Sequence, residues 1–401
     1  MKTKYALYKY STENVGDEIQ SIAARRFLPQ VDYYIDRDMV GEWRNRHQDE
    51  EVELIANGWY MRSPFAWPPT DQTLKPLLIS MYVEPNSVDG KKVPREVFLT
   101  PESRHYLAQY GPIGARDKTT LNFFRDNNIE AYFSGCVTLT LQREEKLPRC
   151  DYILAIDIPD ELYDYLKGHT KRRIIRLSPY GDFEMAGTDR FAVAEYFLVL
   201  YQMAHAIVTT RLHAMLPALA LETPVLLIKQ PGLYDPQRYA GLDNLARSAT
   251  TQEYMTDYSL FDLDKPKQNP MDYLTIRRDL IKRCSDYTGY DTTNSFLTID
   301  LPNFYKNESL IAVFADSFMK RLKVLQDKYE INGLETEQKR LLGESERLKQ
   351  ELAAAKKELN YREQQLVELQ KSYNGLKSDY ERIRKTSLGY AVKVAKSRLR
   401  H

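Results

Sequence analysis

Five consecutive residues, Thr209-Thr210-Arg211-Leu212-His213, set a guanidinium and an imidazole where an apolar run gives way to a helical pattern. The run through Ile207 and Val208 reads as a short strand and residues 212–221 as a helix. The turn therefore falls at the C-terminal end of a strand, where open α/β sheets bind ligands. A helix start offers unpaired N–H groups and the positive end of the helix dipole, so Arg211 and His213 concentrate positive potential on a spot the size of a phosphate or carboxylate. Arg211 can hold such an anion through two parallel hydrogen bonds, and His213 can donate a proton. The plainer alternative is an arginine that caps a neighbouring carbonyl beside a partly buried histidine.

Two further turns have comparable content. Gly111-Pro112-Ile113-Gly114-Ala115-Arg116-Asp117 precedes a helical stretch, and Ser134-Gly135-Cys136 follows a strand. Glycines let the backbone approach a ligand and Arg116 supplies a charge, although Asp117 is equally an ordinary helix N-cap and Arg116 an ordinary surface residue. In Asn14-Val15-Gly16-Asp17-Glu18, a first strand hands over to a first helix. Asn14 is placed to contact a substrate, and Asp17 is either a base or a residue that favours the positive end of that helix.

The elements that must position these turns alternate. Residues 4–10 read as a strand, 16–27 as a helix, 74–81 as a strand, 119–127 as a helix and 131–138 as a strand. A second set begins near Cys150, with strands at 151–158, 173–177, 206–209 and 225–229 and helices at 189–204 and 212–221. Short strands alternating with helices imply parallel sheets, hence an α/β fold of two Rossmann-like domains facing a cleft. The polar run Gln142-Arg143-Glu144-Glu145-Lys146 before Pro148 marks the linker, dividing the chain into domains 1–145 and 146–306.

From residue 307 to 385 the pattern becomes one long helix. Leu334, Leu341, Leu348, Ala355, Leu369, Leu376 and Ile383 fall at d of a heptad, and Leu352, Leu359, Leu366, Tyr373 and Tyr380 at a. This coiled coil is interrupted by Gln338, Ser345 and Arg362, and it implies a homodimer; a solvated single helix is the alternative. Residues 386–401 form a basic tail with Lys393, Lys396, Arg398 and Arg400, either a contact for an anionic membrane surface or a disordered solubilising tail.

A length of 401 residues exceeds what one core usually organises, which agrees with two domains plus an extension. A formal net charge of +1 gives no bias toward nucleic acid. Cys136, Cys150 and Cys284 have neither the spacing of a zinc site nor that of a disulfide framework, so no metal is expected. The stretch 191–210 is apolar but carries Glu195, Gln202 and His205, which argues against a membrane span. The opening residues lack a signal peptide pattern, and a cytoplasmic location is expected.

Taken in order along roughly residues 5–250, these motifs resemble the polysaccharide pyruvyl transferase family. The matching pieces are Asn14-Val15-Gly16-Asp17, Gly114-Ala115-Arg116-Asp117, Ser134-Gly135-Cys136-Val137-Thr138-Leu139-Thr140, Arg211-Leu212-His213 with Pro217, Ala220 and Thr223-Pro224-Val225, and Arg238-Tyr239-Ala240-Gly241-Leu242. Glu222 stands where the family has glycine. The resemblance implies a fold similar to B-type glycosyltransferases, phosphoenolpyruvate as donor substrate, no cofactor, and a sugar acceptor, free or lipid-linked. It implies that Arg116, Arg211 and His213 contact the anionic groups of the donor, with Asn14 and Gly16 beside them. His213 would act as general acid or phosphate ligand and Asp17 as base. A nucleotide-sugar glycosyltransferase is the competing reading, since the same fold and basic turn suit a diphosphate. A third is a scaffold organised by the coiled coil.

Overall fold

The computed structural model describes residues 2–12, 14–47, 49–60, 66–85, 94–179, 190–290 and 295–298, together with most of 341–381. The chain divides into two compact units, Met1–Gln326 and Asp327–His401.

The first unit is an α/β fold built on two parallel sheets. β1 (Lys2–Lys9), β2 (Tyr33–Asp36), β3 (Glu50–Tyr60), β4 (Leu74–Val83), β5 (Ile113–Ala115) and β6 (Ala131–Phe133) lie in the order β2-β1-β3-β4-β5-β6. β7 (Tyr152–Ile156), β8 (Arg173–Leu177), β9 (Ala206–Thr209), β10 (Val225–Ile228) and β11 (Arg247–Ala249) lie in the order β11-β10-β9-β7-β8. Strand order reverses between β1 and β3 and again between β7 and β9. Each reversal opens a crevice at the C-terminal strand ends, because the connections leave toward opposite faces.

The two sheets share one core. α1 (Gly16–Arg25) is buried from Gly16 through Ala24, and its Ile19, Ile22 and Ala23 cluster with Leu7 and Ile55 of the first sheet. The same cluster takes in Leu154, Ile207 and Leu227 of the second sheet, with Phe197 of α5 (Arg190–Met203) and Leu216 of α6 (Leu212–Ala220). α2 (Pro101–Tyr110) and α3 (Lys118–Asp126) cover the other face of the first sheet through Tyr106, Leu107, Leu121 and Phe124. α4 (Asp160–His169) and α8 (Thr251–Thr256) do the same for the second through Leu162, Leu166 and Tyr254. Buried charge pins the halves as well: the Glu195 carboxylate accepts from Arg25 at 2.5 Å and from the backbone N–H of Thr298 at 2.7 Å.

α7 (Pro236–Tyr239) is a single turn after β10, and α9 (Tyr273–Thr288) returns to the first sheet. There the Tyr287 hydroxyl accepts from the Leu54 N–H at 3.0 Å, and the Arg283 guanidinium lies 3.9 Å from the Tyr132 ring centroid. Gly135 makes this docking possible, because a Cβ there would sit 2.5 Å from Ile276 Cγ2 and its φ is +70°. The Ser134-Gly135-Cys136 motif is therefore a seat for α9. It also ends β6 at Phe133, five residues before the end expected from the sequence. Beyond it the chain turns through Gly135, at φ +70°, into a 3-10 turn at Val137–Thr140, so the strand does not continue.

The described residues between 341 and 381 are helical. Leu341, Leu352, Leu366, Leu369, Tyr373 and Tyr380 are exposed along that helix. Residues 307–340, the heptad positions Leu348, Ala355 and Leu359, and the basic tail lie outside the described residues.

Candidate active site

His213 stands where the two strand-order reversals meet. It occupies the first turn of α6, whose N-cap is Arg211 in extended conformation, directly after β9. Pro217 inside this helix supplies no N–H for the His213 carbonyl, so the turn carrying the histidine is freed from one helical bond. Opposite it lies Gly16, the first residue of α1: a Cβ at Gly16 would be 3.0 Å from His213 Cβ and 3.2 Å from its Nδ1. Only a residue without a side chain lets the two turns approach this closely. His213 is 5% exposed, and neither ring nitrogen has a hydrogen-bond partner among the described residues. Burial, reinforced by Arg116 and Arg238, holds its pKa well below the ordinary imidazole value, which favours the neutral ring.

Arg116 follows β5 and is wholly buried, contrary to the surface position its sequence context also allowed. Its Nε, Nη1 and Nη2 all lack a hydrogen-bond partner among the described residues. The Asp117 carboxylate lies 3.9 Å from Nε, beyond hydrogen-bond distance, and caps α3 by accepting from the Thr120 N–H at 2.8 Å. Burial raises the Asp117 carboxyl to about 6 and lowers the Arg116 guanidinium, against the attraction between them. The guanidinium lies 4.2 Å from the Tyr82 ring centroid, and Arg238 lies 4.4 Å from that of Trp59. Those two rings are neighbours, 6.2 Å apart. Two arginines are thus shelved side by side on a Tyr–Trp platform from the C-terminal ends of β4 and β3. A buried guanidinium without a carboxylate in hydrogen-bond contact costs on the order of 3–5 kcal/mol, so this arrangement favours an incoming anion.

The remaining candidate residues take different places. Arg211 donates through Nε to the Asp157 carboxylate at 2.5 Å and is 27% exposed, so it already has an anionic partner. Asn14 accepts the Gly16 N–H at 2.9 Å, which shapes the turn facing His213. Asp17 is wholly buried and accepts from the Thr12 hydroxyl at 2.8 Å and from Gln20 at 3.2 Å, with Arg37 at 3.8 Å. Its carboxylate is engaged within the wall of α1. Glu222, in the position of the family glycine, adopts φ +59°, the left-handed conformation glycine would take without strain.

Three contributors received no role from the sequence: Trp59, Tyr82 and Arg238. Trp59 lies on β3, a strand whose acidic Glu50, Glu51 and Glu53 and whose Asn57-Gly58 pair obscure strand alternation. Between Ala56 and Gly58 the β3–β4 register shifts, and both side-chain polar atoms of Asn57 and the hydroxyl of Ser80 are buried there without hydrogen-bond partners among the described residues. Asn-Gly inside an apolar run was the one local sign of that irregularity. Among the described residues, no group of three or more His, Cys, Asp or Glu side chains is arranged to hold a metal ion. No helix among them is long and apolar enough to cross a membrane.

A family model described as polysaccharide pyruvyl transferase matches residues 14–230. No curated protein matches the chain. Among solved structures, the chain is similar to an uncharacterized protein from Klebsiella pneumoniae, with 14% identity over 65% of this chain and 89% of that one and a TM-score of 0.36. It is similar to the wall teichoic acid polymerase TagF, with 11% identity over 79% and 89% and a TM-score of 0.33. It is also similar to the UDP-GlcNAc 2-epimerase of Methanocaldococcus jannaschii, with 10% identity over 70% and 98% and a TM-score of 0.31.

Proposed function

The chain belongs to the polysaccharide pyruvyl transferase family, and from that premise we propose that it moves the pyruvyl group of phosphoenolpyruvate onto a sugar of a cell-surface or exopolysaccharide precursor, releasing phosphate. The observation that carries the donor assignment is the pairing of Arg116 and His213, from opposite sheets, with five buried nitrogens that have no hydrogen-bond partner among the described residues. A small anion with two acidic groups satisfies them; a neutral sugar does not.

Two sugar hydroxyls add to C2 of the enol in turn, C3 gains a proton to become a methyl group, and the C2–O bond to phosphate breaks; of the two protons the hydroxyls release, one replaces the proton given to C3 and the other leaves on the phosphate. Positive charge develops at C2, so the donor's anionic groups must be held in fixed positions throughout. Burial and the nearby arginines favour the neutral form of His213, and an arriving anion raises its pKa because a negative neighbour favours imidazolium. His213 then delivers its proton to the reacting enol phosphate as general acid. Arg116 supplies permanent charge, and Arg211 joins in only by sharing or releasing Asp157. Asp17, held by Thr12 and Gln20, orients the Gly16 turn.

The decisive experiment incubates the protein with phosphoenolpyruvate and a panel of lipid-linked and synthetic glycosides. Phosphate release with a mass gain of one ketal-linked pyruvate is expected, and His213→Ala should lose both while remaining folded. Turnover of UDP, GDP or CMP sugars without use of phosphoenolpyruvate would replace this reading by the glycosyltransferase one. The exposed a and d residues Leu352, Leu366, Leu369, Tyr373 and Tyr380 pair with a second copy of the chain on the same reading. Light scattering should give a dimer mass for the full chain; a monomer mass removes that assignment.

A further inference from the structure

Arg238 lies beyond the span 14–230 that matches the family model, yet the fold bolts it into the site. Its short helix α7 is held from both sides. From the first sheet's half, the Lys118 N–H donates to the Ala240 carbonyl at 2.9 Å and the Thr119 hydroxyl to the Gln237 carbonyl at 2.9 Å. From the second, the Tyr239 hydroxyl donates to the Thr210 carbonyl at 2.8 Å. Gly241 completes the fit: it has φ +84°, and a Cβ there would lie 3.0 Å from the Lys118 side chain. α7 therefore straps the turn of Arg116 to the turn of His213, with Arg238 carried between them.

The Arg238 guanidinium is stacked on Trp59 and makes no hydrogen bond or ion pair among the described residues, and its buried Nε is unpartnered. Arg238 is half-buried, whereas Arg116 is closed off from solvent. Removing a dianion from water costs more than removing a monoanion, so a donor with one group of each kind places the dianion at the wetter arginine.

Resting on the pyruvyl donor reading above, we propose that Arg238 is a second anion-binding residue that takes the phosphate of the donor, while Arg116 takes its carboxylate. Trp59 is a positioning residue that holds the Arg238 guanidinium flat beside Tyr82.

Calorimetric titration of the full chain with phosphoenolpyruvate, inorganic phosphate and pyruvate tests this assignment. In Arg238→Gln, binding of phosphoenolpyruvate and of phosphate should weaken by about thirtyfold while pyruvate binding stays within about twofold, as expected for loss of one charge-assisted contact. Trp59→Leu should weaken the same two ligands by about fivefold, in line with loss of a cation–π contact. Unfolding curves confirm that both variants are folded. Unchanged phosphate binding in Arg238→Gln, or equal losses for phosphate and pyruvate, would overturn the assignment. Should the wild type bind phosphate but not phosphoenolpyruvate, and Arg238→Gln lose phosphate, the donor reading falls and the phosphate contact stands. Should the wild type bind neither phosphate nor phosphoenolpyruvate, both fall.

Discussion

Arg116 and Arg211 have matching addresses: each follows a strand of a parallel sheet and sits at the start of the next helix. The fold gives them opposite surroundings. Arg211 is partly exposed and bonded to Asp157, whereas Arg116 is wholly buried, lies over Tyr82 and has no hydrogen-bonded partner among the described residues. A charge hydrogen-bonded to its counterion is close to satisfied at rest, while a buried one whose neighbouring carboxylate, Asp117, lies beyond hydrogen-bond distance is poised to bind. The stronger demand for an anion therefore lies at Arg116, across from the Arg-Leu-His turn that looks most basic in the sequence.

Arg116→Gln should have the largest effect. Its loss of transition-state charge stabilisation should cut kcat/KM for phosphoenolpyruvate by about a hundredfold or more, read as phosphate release. The unliganded variant should also melt at a higher temperature, because a poorly compensated buried charge is gone; a lower melting temperature would mean that Arg116 is satisfied at rest.

Gly16→Ala comes next. The added Cβ would lie 2.9 Å from Asn14 Oδ1 and 3.0 Å from His213 Cβ. Overpacking should cost about 1–3 kcal/mol in denaturant unfolding and displace the histidine enough to reduce turnover. Wild-type stability and rate would show that the two turns do not need their close approach.

Arg211→Gln should cost less in kcat/KM than Arg116→Gln. Its effect on stability should be about 1 kcal/mol, the scale of a partly exposed ion pair. A loss as deep as that of Arg116→Gln would break the contrast between the two arginines, and would mean that Arg211 leaves Asp157 when donor binds.

The smallest effect concerns Glu18, beside the site on α1. Burial raises its carboxyl to about 7 from an ordinary 4.5, although Arg190 donates to it at 2.5 Å and opposes the shift. The folded protein thus holds a proton there that the unfolded chain has lost. This contribution to stability is complete below about 4.5 and disappears as pH rises through about 7. In Glu18→Gln the decline across that window should flatten, as measured by unfolding at several pH values; an unchanged slope would assign the decline to other groups.

The contrast between the arginines also marks how far the residues could be read in advance. The turns at Asn14, Arg116 and Arg211 were legible, as was the helix after each and the strand before the first and last, because glycine, proline and apolar periodicity act over a few residues, while the three-residue strand β5 before Arg116 was too short to show. β3 was not legible: its glutamates and Asn57-Gly58 break the alternation, and burial in the middle of a sheet overrides that local disorder. Its loss hid Trp59 and with it the shelf under Arg238. Asp17 illustrates the same limit, since its position at a helix start fits a base as well as a wall residue, and its bonds to Thr12 and Gln20 come only with the fold.

By itself the sequence determined an α/β chain with basic turns at strand ends and enough ordered motifs to identify a family. The partners of each charge were decided only by tertiary structure. Asp157 reaches Arg211 from 54 residues away, and Arg116 meets His213 from another sheet. Whether a guanidinium is neutralised or left waiting depends on which carboxylates and how much water surround it, and folding alone brings those neighbours together.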